Sequence, residues 1–299
     1  MPKFLNLSYK ETKIVTNKDK EIFEWAFNNP SRRHKVLDKI TSSESSYEWA
    51  KRWPEDKDIM RDRINESGWA YKWAQMWPEE RHIMRERINS SYWAYYWALE
   101  WPEDKDIMRD RVKGSNWAYE WALEWPEDKD IMRDRVNKNY LVYEWVLRWP
   151  EDKNIMRDRI NDGYWAFRWA AKWPEDRDIM RHLINNSETA TRWAKKWPEE
   201  RHIMQTYINE SYWAYLWAKT WPEDREIMRE RVVDSYWVFG WLKKWPEDRD
   251  IMKKVITEPK WAFLWIKNIG PDPDMLEICK KDEEIYREVF ELILHGEKK

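Results

Sequence analysis

The chain has 299 residues, 37% of them charged and 27 of them tryptophan, with only 6 glycines, a composition that favours helix. Lysine plus arginine (54) nearly balances aspartate plus glutamate (56), so the net charge of −2 demands neither nucleic acid, nor an anionic membrane, nor a strongly acidic partner. A single cysteine, Cys279, excludes an internal disulfide, and no apolar run reaches the ~18 residues that a membrane helix needs.

In chain order, residues 1–52 are expected to hold degenerate repeats that form an N-terminal cap. The opening "MPKFLNLSYKETKIVTNKDK" carries no apolar run suited to a secretory leader. Trp25, Pro30 and Trp49 then fall in register with the regular repeats downstream. From Trp53 onward a Trp-Pro pair recurs at Trp77, Trp101, Trp125, Trp149, Trp173, Trp197, Trp221 and Trp245, always 24 residues apart. The phrase "WPEDKDIMRDR" at 53–63 returns unchanged at 101–111 and 125–135. Residues 53–268 thus contain nine regular repeats, and residues 269–299 a degenerate repeat and a closing amphipathic helix within "KKDEEIYREVFELILHGEKK". Counting worn frames, 5–292 gives twelve. All tryptophans occupy the first, seventeenth or twenty-first place of the frame.

Each frame predicts two short helices. Proline at the second place suits a helix start, the acids after it suit a helix N-terminus, and Asp56 is a candidate N-cap. Ile59, Met60 and Ile64 are expected on one apolar face. Asn65, Asn89, Asn161, Asn185 and Asn209 suit a left-handed stop, and Ser67, Ser91, Ser115, Ser187, Ser211 and Ser235 the N-cap of the second helix. Twenty-four residues cannot bury a face alone but stacked copies can, so the expected fold is an all-α solenoid of helix-turn-helix repeats, roughly twelve units with degenerate caps.

Stretches such as "EDKDIMRDRINESGWAYKWA" resemble a family of short two-helix tandem repeats of unknown function, found in bacterial, protist and giant-virus proteins, usually with leucine where this chain has tryptophan. The resemblance covers about four fifths of the chain and implies the fold but no activity. The Trp-Pro opening and the repeated arginines depart from that pattern.

Trp69, Trp73, Trp77, Trp93, Trp97 and Trp101 are read as core, because their spacing with Ala70 and Ala74 makes one wide apolar arc. The alternative is an aromatic ladder for bases, a methylated ammonium or a proline-rich peptide. Arg63, Arg87, Arg111, Arg135, Arg159 and Arg231 share the eleventh place, where other frames carry Leu183, Tyr207 and Val255. They are expected to form an inter-repeat ladder, stacked on indoles and paired with Asp56 or its equivalents, with an anion-binding ladder as the alternative. Tyr92, Tyr96, Tyr212, Leu216 and Tyr236, with Gly240, fall on the expected solvent side of the second helices. They are the candidate partner-binding groove, against scattered surface aromatics. The frame 173–196, with "SETATRW", loses two aromatics and is a weak spot, a bend or a contact site.

No catalytic constellation is expected. The five histidines, His34, His82, His182, His202 and His295, lack metal-ligand spacing, and the carboxylates repeat in every frame where a catalytic site would be singular. The expectation is therefore a non-enzymatic scaffold with no cofactor or metal, binding a protein or peptide in the cytoplasm. A viral or bacterial factor that captures a host protein would suit the near-identical units. Alternatives are a self-assembling structural protein and, more weakly, a nucleotide or single-stranded nucleic-acid binder using Trp and Arg.

Overall fold

The computed structural model describes residues 17–296. Seven of the nine regular repeats have three pieces, seen in the first as a 3-10 turn Pro54–Asp56, a helix Lys57–Arg61 and a longer helix Ser67–Met76, and two add a 3-10 turn, Gln205–Tyr207 or Lys253–Val255, after the first helix. The second helix ends at Trp77, whose N–H still reaches the Trp73 carbonyl at 2.8 Å. Its φ of −128° and ψ of 78° leave the helix, because Pro78 disfavours helical geometry in the residue before it. Pro78 then opens the next turn, where its missing N–H leaves no donor unsatisfied. One dipeptide therefore ends one element and starts the next. Asn17–Asn28, Pro30–Lys39 and Ser43–Arg52 precede the regular repeats, and Pro273–Cys279 and Glu283–Gly296 come after them. No strand occurs among the described residues. The fold is an all-α solenoid of 24-residue helix-turn-helix repeats, with a first helix shorter than the sequence pattern suggests.

The chain forms two compact units that divide between Leu141 and Val142. In the first, the second helices Ser43–Arg52, Ser67–Met76, Ser91–Glu100 and Ser115–Glu124 pack in series. Trp49, Trp73, Trp97 and Trp121 are fully buried, beside Ala70, Ala74, Ala94 and Ala98, which allow close helix approach. Each such tryptophan contributes about 4–6 kcal/mol of gross burial, from ~150–250 Å² at ~25 cal/mol/Å². The first helices add Met60, Met84, Met108 and Met132, also at 0% exposure. Each buried indole lies against the next Trp-Pro tryptophan, with Trp73–Trp77 centroids 4.3 Å apart. Tyr71 sits among three tryptophans, 5.1 Å from Trp93 and 6.3 Å from Trp97 of the following repeat and 5.5 Å from Trp101, which opens the repeat after it.

The second unit repeats this packing through Trp145, Trp169, Trp193, Trp217, Trp241 and Trp265, all fully buried. The irregular frame keeps a regular helix, Ser187–Lys196. Thr189 and Thr191 take the two aromatic slots and are buried, with the Thr191 hydroxyl donating to the Ser187 carbonyl at 2.7 Å. Gly163, in the preceding frame, approaches this helix closely: a Cβ there would lie 3.2 Å from Thr189 Oγ1. Gly270, at φ 123°, releases the chain into the last frame, where Cys279 is buried.

Four local expectations change. Ile59 is 46% exposed, not core: Met60 and Ile64, four apart, define the inward stripe, and Ile59 is rotated about 100° from Met60. Asp56 makes no capping bond, because its carboxylate turns inward. Among the described residues only Gly270 has positive φ, so the thirteenth-place asparagines are not left-handed stops. Ser67 is the first residue of its helix and not the cap. Its Oγ donates to Asn89 Oδ1 of the next repeat at 2.7 Å and accepts the Asn89 N–H at 2.9 Å. Ser43 with Asn65, and Ser187 with Asn209, make the same link, both at 2.8 Å. Asparagine and serine therefore join repeats, where single-frame reasoning assigned them to helix ends.

Candidate functional site

The repeating polar groups assemble into two ladders. The first is centred on the acid at the fourth place of each frame, two residues after proline. Glu80, Asp104 and Asp128 in the first unit, and Asp152, Asp176, Glu200 and Asp248 in the second, are buried. Each accepts the indole N–H of the buried tryptophan seven residues earlier, as in Trp73 to Glu80 at 2.7 Å, Trp97 to Asp104 at 2.9 Å and Trp169 to Asp176 at 2.9 Å. Bases of the preceding repeat complete the shell. Asp128 is 3.1 Å from Arg109 and 3.3 Å from Lys105, and Asp248 is 2.9 Å from both Arg225 and Arg229. Burial alone would raise the Asp128, Asp176 and Asp248 carboxyls, but the hydrogen bonds and positive charges more than offset it and hold all three below the ordinary aspartate range. The last frame breaks the rule: Asp272 caps its own helix through the Asp274 N–H at 2.9 Å, and the Trp265 indole N–H is left without an acceptor.

The second ladder uses the eleventh-place arginines. Arg87 donates to the carbonyls of Arg61 and Ile64 (2.6 Å to the latter), and Arg111 to those of Arg85 and Ile88 (2.9 Å to the latter). Arg63, Arg135 and Arg231 repeat this on Ile40, Val112 and Ile208. Each arginine thus satisfies carbonyls orphaned at the end of the preceding first helix. Burial lowers the pKa of Arg87 and Arg231 from the ordinary arginine value. The expected partner, Asp56 or its equivalents, is corrected: the acids reached are exposed ones of the preceding frame, Glu86 from Arg111 at 3.0 Å and Asp38 from Arg63 at 3.5 Å. The fourth-place acids are already held by bases at the fifth and ninth places. Stacking on indole also belongs to the fifth place, where Arg81 lies 5.8 Å from the Trp101 ring. Arg159 has interactions within the structure and is not free.

The structure divides the tryptophans by slot. Trp73 and Trp97 are fully buried, while Trp69, Trp77, Trp93 and Trp101 are half-exposed. The first-place rings form the outer edge of the packing except at Trp197 and Trp245, which are buried. Seventeenth-place rings such as Trp69 and Trp93 cover a tyrosine of the preceding repeat, Tyr47 and Tyr71, and leave one rim in water, as where Lys72 Nζ lies 4.2 Å from the Trp69 ring.

Of the candidate groove residues, Tyr96, Tyr212 and Tyr236 are exposed, and Tyr92 and Leu216 half-buried. In the first unit Tyr92 lies 4.6 Å from Tyr96 and 5.1 Å from Trp117, and Tyr96 lies 6.1 Å from Trp117. In the second, Tyr212 lies 5.0 Å from Trp237, and Tyr236 lies 6.1 Å from Trp261. The structure thus brings each tyrosine onto the tryptophan of the next repeat, and the two groups lie in different units. Tyr140 and Tyr164 share the same slot and are exposed too. In the second unit an open pocket of about 850 Å³ is lined by Tyr236, Trp237, Phe239, Gly240, Lys243 and Trp261, among others.

Two features are not legible in the sequence pattern. One is a set of exposed isoleucines at the seventh place, Ile59, Ile107 and Ile131 in the first unit and Ile155, Ile179, Ile227 and Ile251 in the second. A strict period of four from the buried Met would have marked them. The other is the buried state of the fourth-place acids, hidden because their indole partner lies seven residues away across a helix end. His34, His82, His182 and His202 are exposed, and the His295 side chain lies outside the described residues. No group of three or more His, Cys, Asp or Glu is placed to hold a metal among the described residues, and no described helix is long and apolar enough to cross a membrane. No family model matches the chain, and comparisons with curated proteins and with solved structures give no match.

Proposed function

We propose that this chain is a non-enzymatic repeat scaffold that binds a protein or peptide through the tyrosine-bearing face of its second helices. The observation that carries this reading is a division of labour between slots. The invariant polar groups are taken up in joining repeats, whereas the variable sixteenth and twentieth places present Tyr96, Tyr212 and Tyr236 to solvent, each beside a half-exposed tryptophan. Tyrosine on a rigid backing supplies large contact area at small entropic cost, the composition of binding hot spots. The Trp and Arg ladders that a nucleic-acid reading would need are occupied: the guanidinium groups bond backbone carbonyls and the twenty-first-place indoles from Trp49 to Trp265 are buried. Catalysis is not proposed, because the carboxylates at the fourth place serve the same joint in every repeat.

The test is selection from a displayed random-peptide library, followed by binding of the selected peptides to Tyr92→Ala, Tyr96→Ala and Tyr212→Ala variants with unchanged helical circular dichroism. Loss of binding at one or more of these sites supports the reading. Full retention by the triple variant, or the absence of any selected peptide, rejects it.

A further inference from the structure

The twenty-third place changes chemistry along the regular repeats. The first five hold Gln75, Leu99, Leu123, Leu147 and Ala171, and the last four hold Lys195, Lys219, Lys243 and Lys267. The helices that carry them, Ser187–Lys196, Ser211–Thr220, Ser235–Lys244 and Pro259–Asn268, pack each against the next, so the lysines form one row. All four are exposed. Bases at the fifth, ninth and eleventh places lock repeats together; among the described residues these four make no hydrogen bond or ion pair, and of the four Lys267 lies over a ring, 5.9 Å from Phe263. The acids of the third place in the same frames are engaged elsewhere, Glu199 by Arg177 at 2.7 Å and Glu247 by Arg225 at 2.6 Å. A stabilising role at the helix C-terminus does not explain the row, since first-unit helices of the same length end in Leu99-Glu100 and Leu123-Glu124. The row also runs through the pocket: Lys243 lines it, beside aromatic walls and the aliphatic Leu242, Leu264 and Ile269. The pocket opens where Gly240 occupies a place that holds Tyr96, Glu120 or Arg168 elsewhere.

We propose that the pocket and the lysine row together bind an extended acidic peptide segment, with one aliphatic or aromatic side chain seated in the pocket and carboxylates on the lysines. This rests on the scaffold reading above and names the partner's chemistry. Packed helices lie about 8–10 Å apart, and an extended peptide in the polyproline II conformation has three residues per turn and rises about 3.1 Å per residue, so every third residue faces the row and the carboxylates fall every third residue. Relative to the anchor at Lys243, they stand three and six residues to one side, facing Lys219 and Lys195, and three to the other, facing Lys267. A single-stranded nucleic acid is disfavoured because aromatic faces along the row pair with one another, as Tyr215 stacks on Trp237 at 27°, and are not free to serve as a series of base platforms.

The experiment is fluorescence anisotropy with a labelled peptide carrying leucine as anchor and glutamate at those three places, beside a shuffled peptide of the same composition. The designed peptide is expected to bind better than the shuffled one, and increasingly weakly as salt rises. The double variant Lys219→Glu/Lys243→Glu weakens it roughly tenfold or more. Gly240→Leu, whose new Cβ would meet Trp237 at an ordinary 3.5 Å, fills the pocket and abolishes anchoring with the fold intact. No binding in the millimolar range, equal binding of both peptides, insensitivity to both variants, or tighter binding of a thymidine oligonucleotide overturns the proposal. If library peptides bind and are lost only on Tyr92→Ala or Tyr96→Ala, this inference fails while the scaffold reading stands; if no library peptide binds, both fall.

Discussion

At the scale of single residues, the fourth-place acid is where the chemistry of the repeat concentrates. Asp128 is buried and receives Trp121 at 3.0 Å, Arg109 at 3.1 Å and Lys105 at 3.3 Å. Its neighbour Glu127 is exposed and meets Lys105 alone, at 2.6 Å. Removing one partner of a buried ionic cluster strands the others. Asp128→Ala is therefore expected to cost about 3–5 kcal/mol, and Glu127→Ala less than about 1 kcal/mol, read as shifts in the urea midpoint. Equal shifts would refute the assignment. The same acids set the pH dependence. Asp128, Asp176 and Asp248 are held below the ordinary carboxylate range in the folded chain. Their stabilisation is present above the ordinary carboxylate value and is lost as the pH falls through the folded values. Tryptophan emission should report loss of packing only below about pH 4, and Asp128→Asn should make the acid limb shallower. The opposite sign holds for Tyr71 and Tyr95, which burial pushes up to about 12. They keep their protons above pH 10 in the folded chain, so stability falls as the pH rises from the ordinary tyrosine value.

At the scale of elements, the first helix of a repeat is very short, Lys57–Arg61 in the first regular frame. A helix of this length has no intrinsic stability, so it depends on its neighbours. The eleventh-place arginine of the next frame supplies that support by binding its terminal carbonyls. Arg111→Ala should cost about 1.5–3 kcal/mol, the range for hydrogen bonds made by charged groups. Hydrogen exchange should quicken most in Arg81–Arg85 and the residues just after it, the element whose carbonyls Arg111 holds. Loss of protection confined to the frame of Arg111 itself would contradict this. That the arginines form an inter-repeat ladder was legible in the sequence, from the period and from Leu183, Tyr207 and Val255 in the same slot. The partner was not, because backbone carbonyls leave no trace in residue identity. The seventh-place isoleucines failed for a related reason: on so short a helix two neighbouring apolar residues look alike in sequence, and only packing shows that Met60 turns inward and Ile59 outward.

At the scale of the whole molecule, stability in a repeat protein is a sum over neighbouring interfaces. The frame 173–196 buries Thr189 and Thr191 where its neighbours present a tryptophan and an aromatic. Losing roughly 100 Å² of apolar contact removes about 2.5 kcal/mol at ~25 cal/mol/Å². Helix Ser187–Lys196 is therefore expected to exchange its amides faster than Ser211–Thr220 within the same unit, and uniform protection would show that Gly163 and the buried hydroxyls compensate. The sequence alone determined the all-α class, the 24-residue period, the junctions at each Trp-Pro and the three tryptophan slots. These come from backbone rules and from a burial requirement that recurs with the repeat. Tertiary structure alone decided which of the three slots is sealed and which acid carries the load. It likewise assigned serine and asparagine to joining repeats and left the lysine row without partners. Each of these depends on what the next repeat places opposite a side chain, and a pattern of residue types along one chain does not encode that distance.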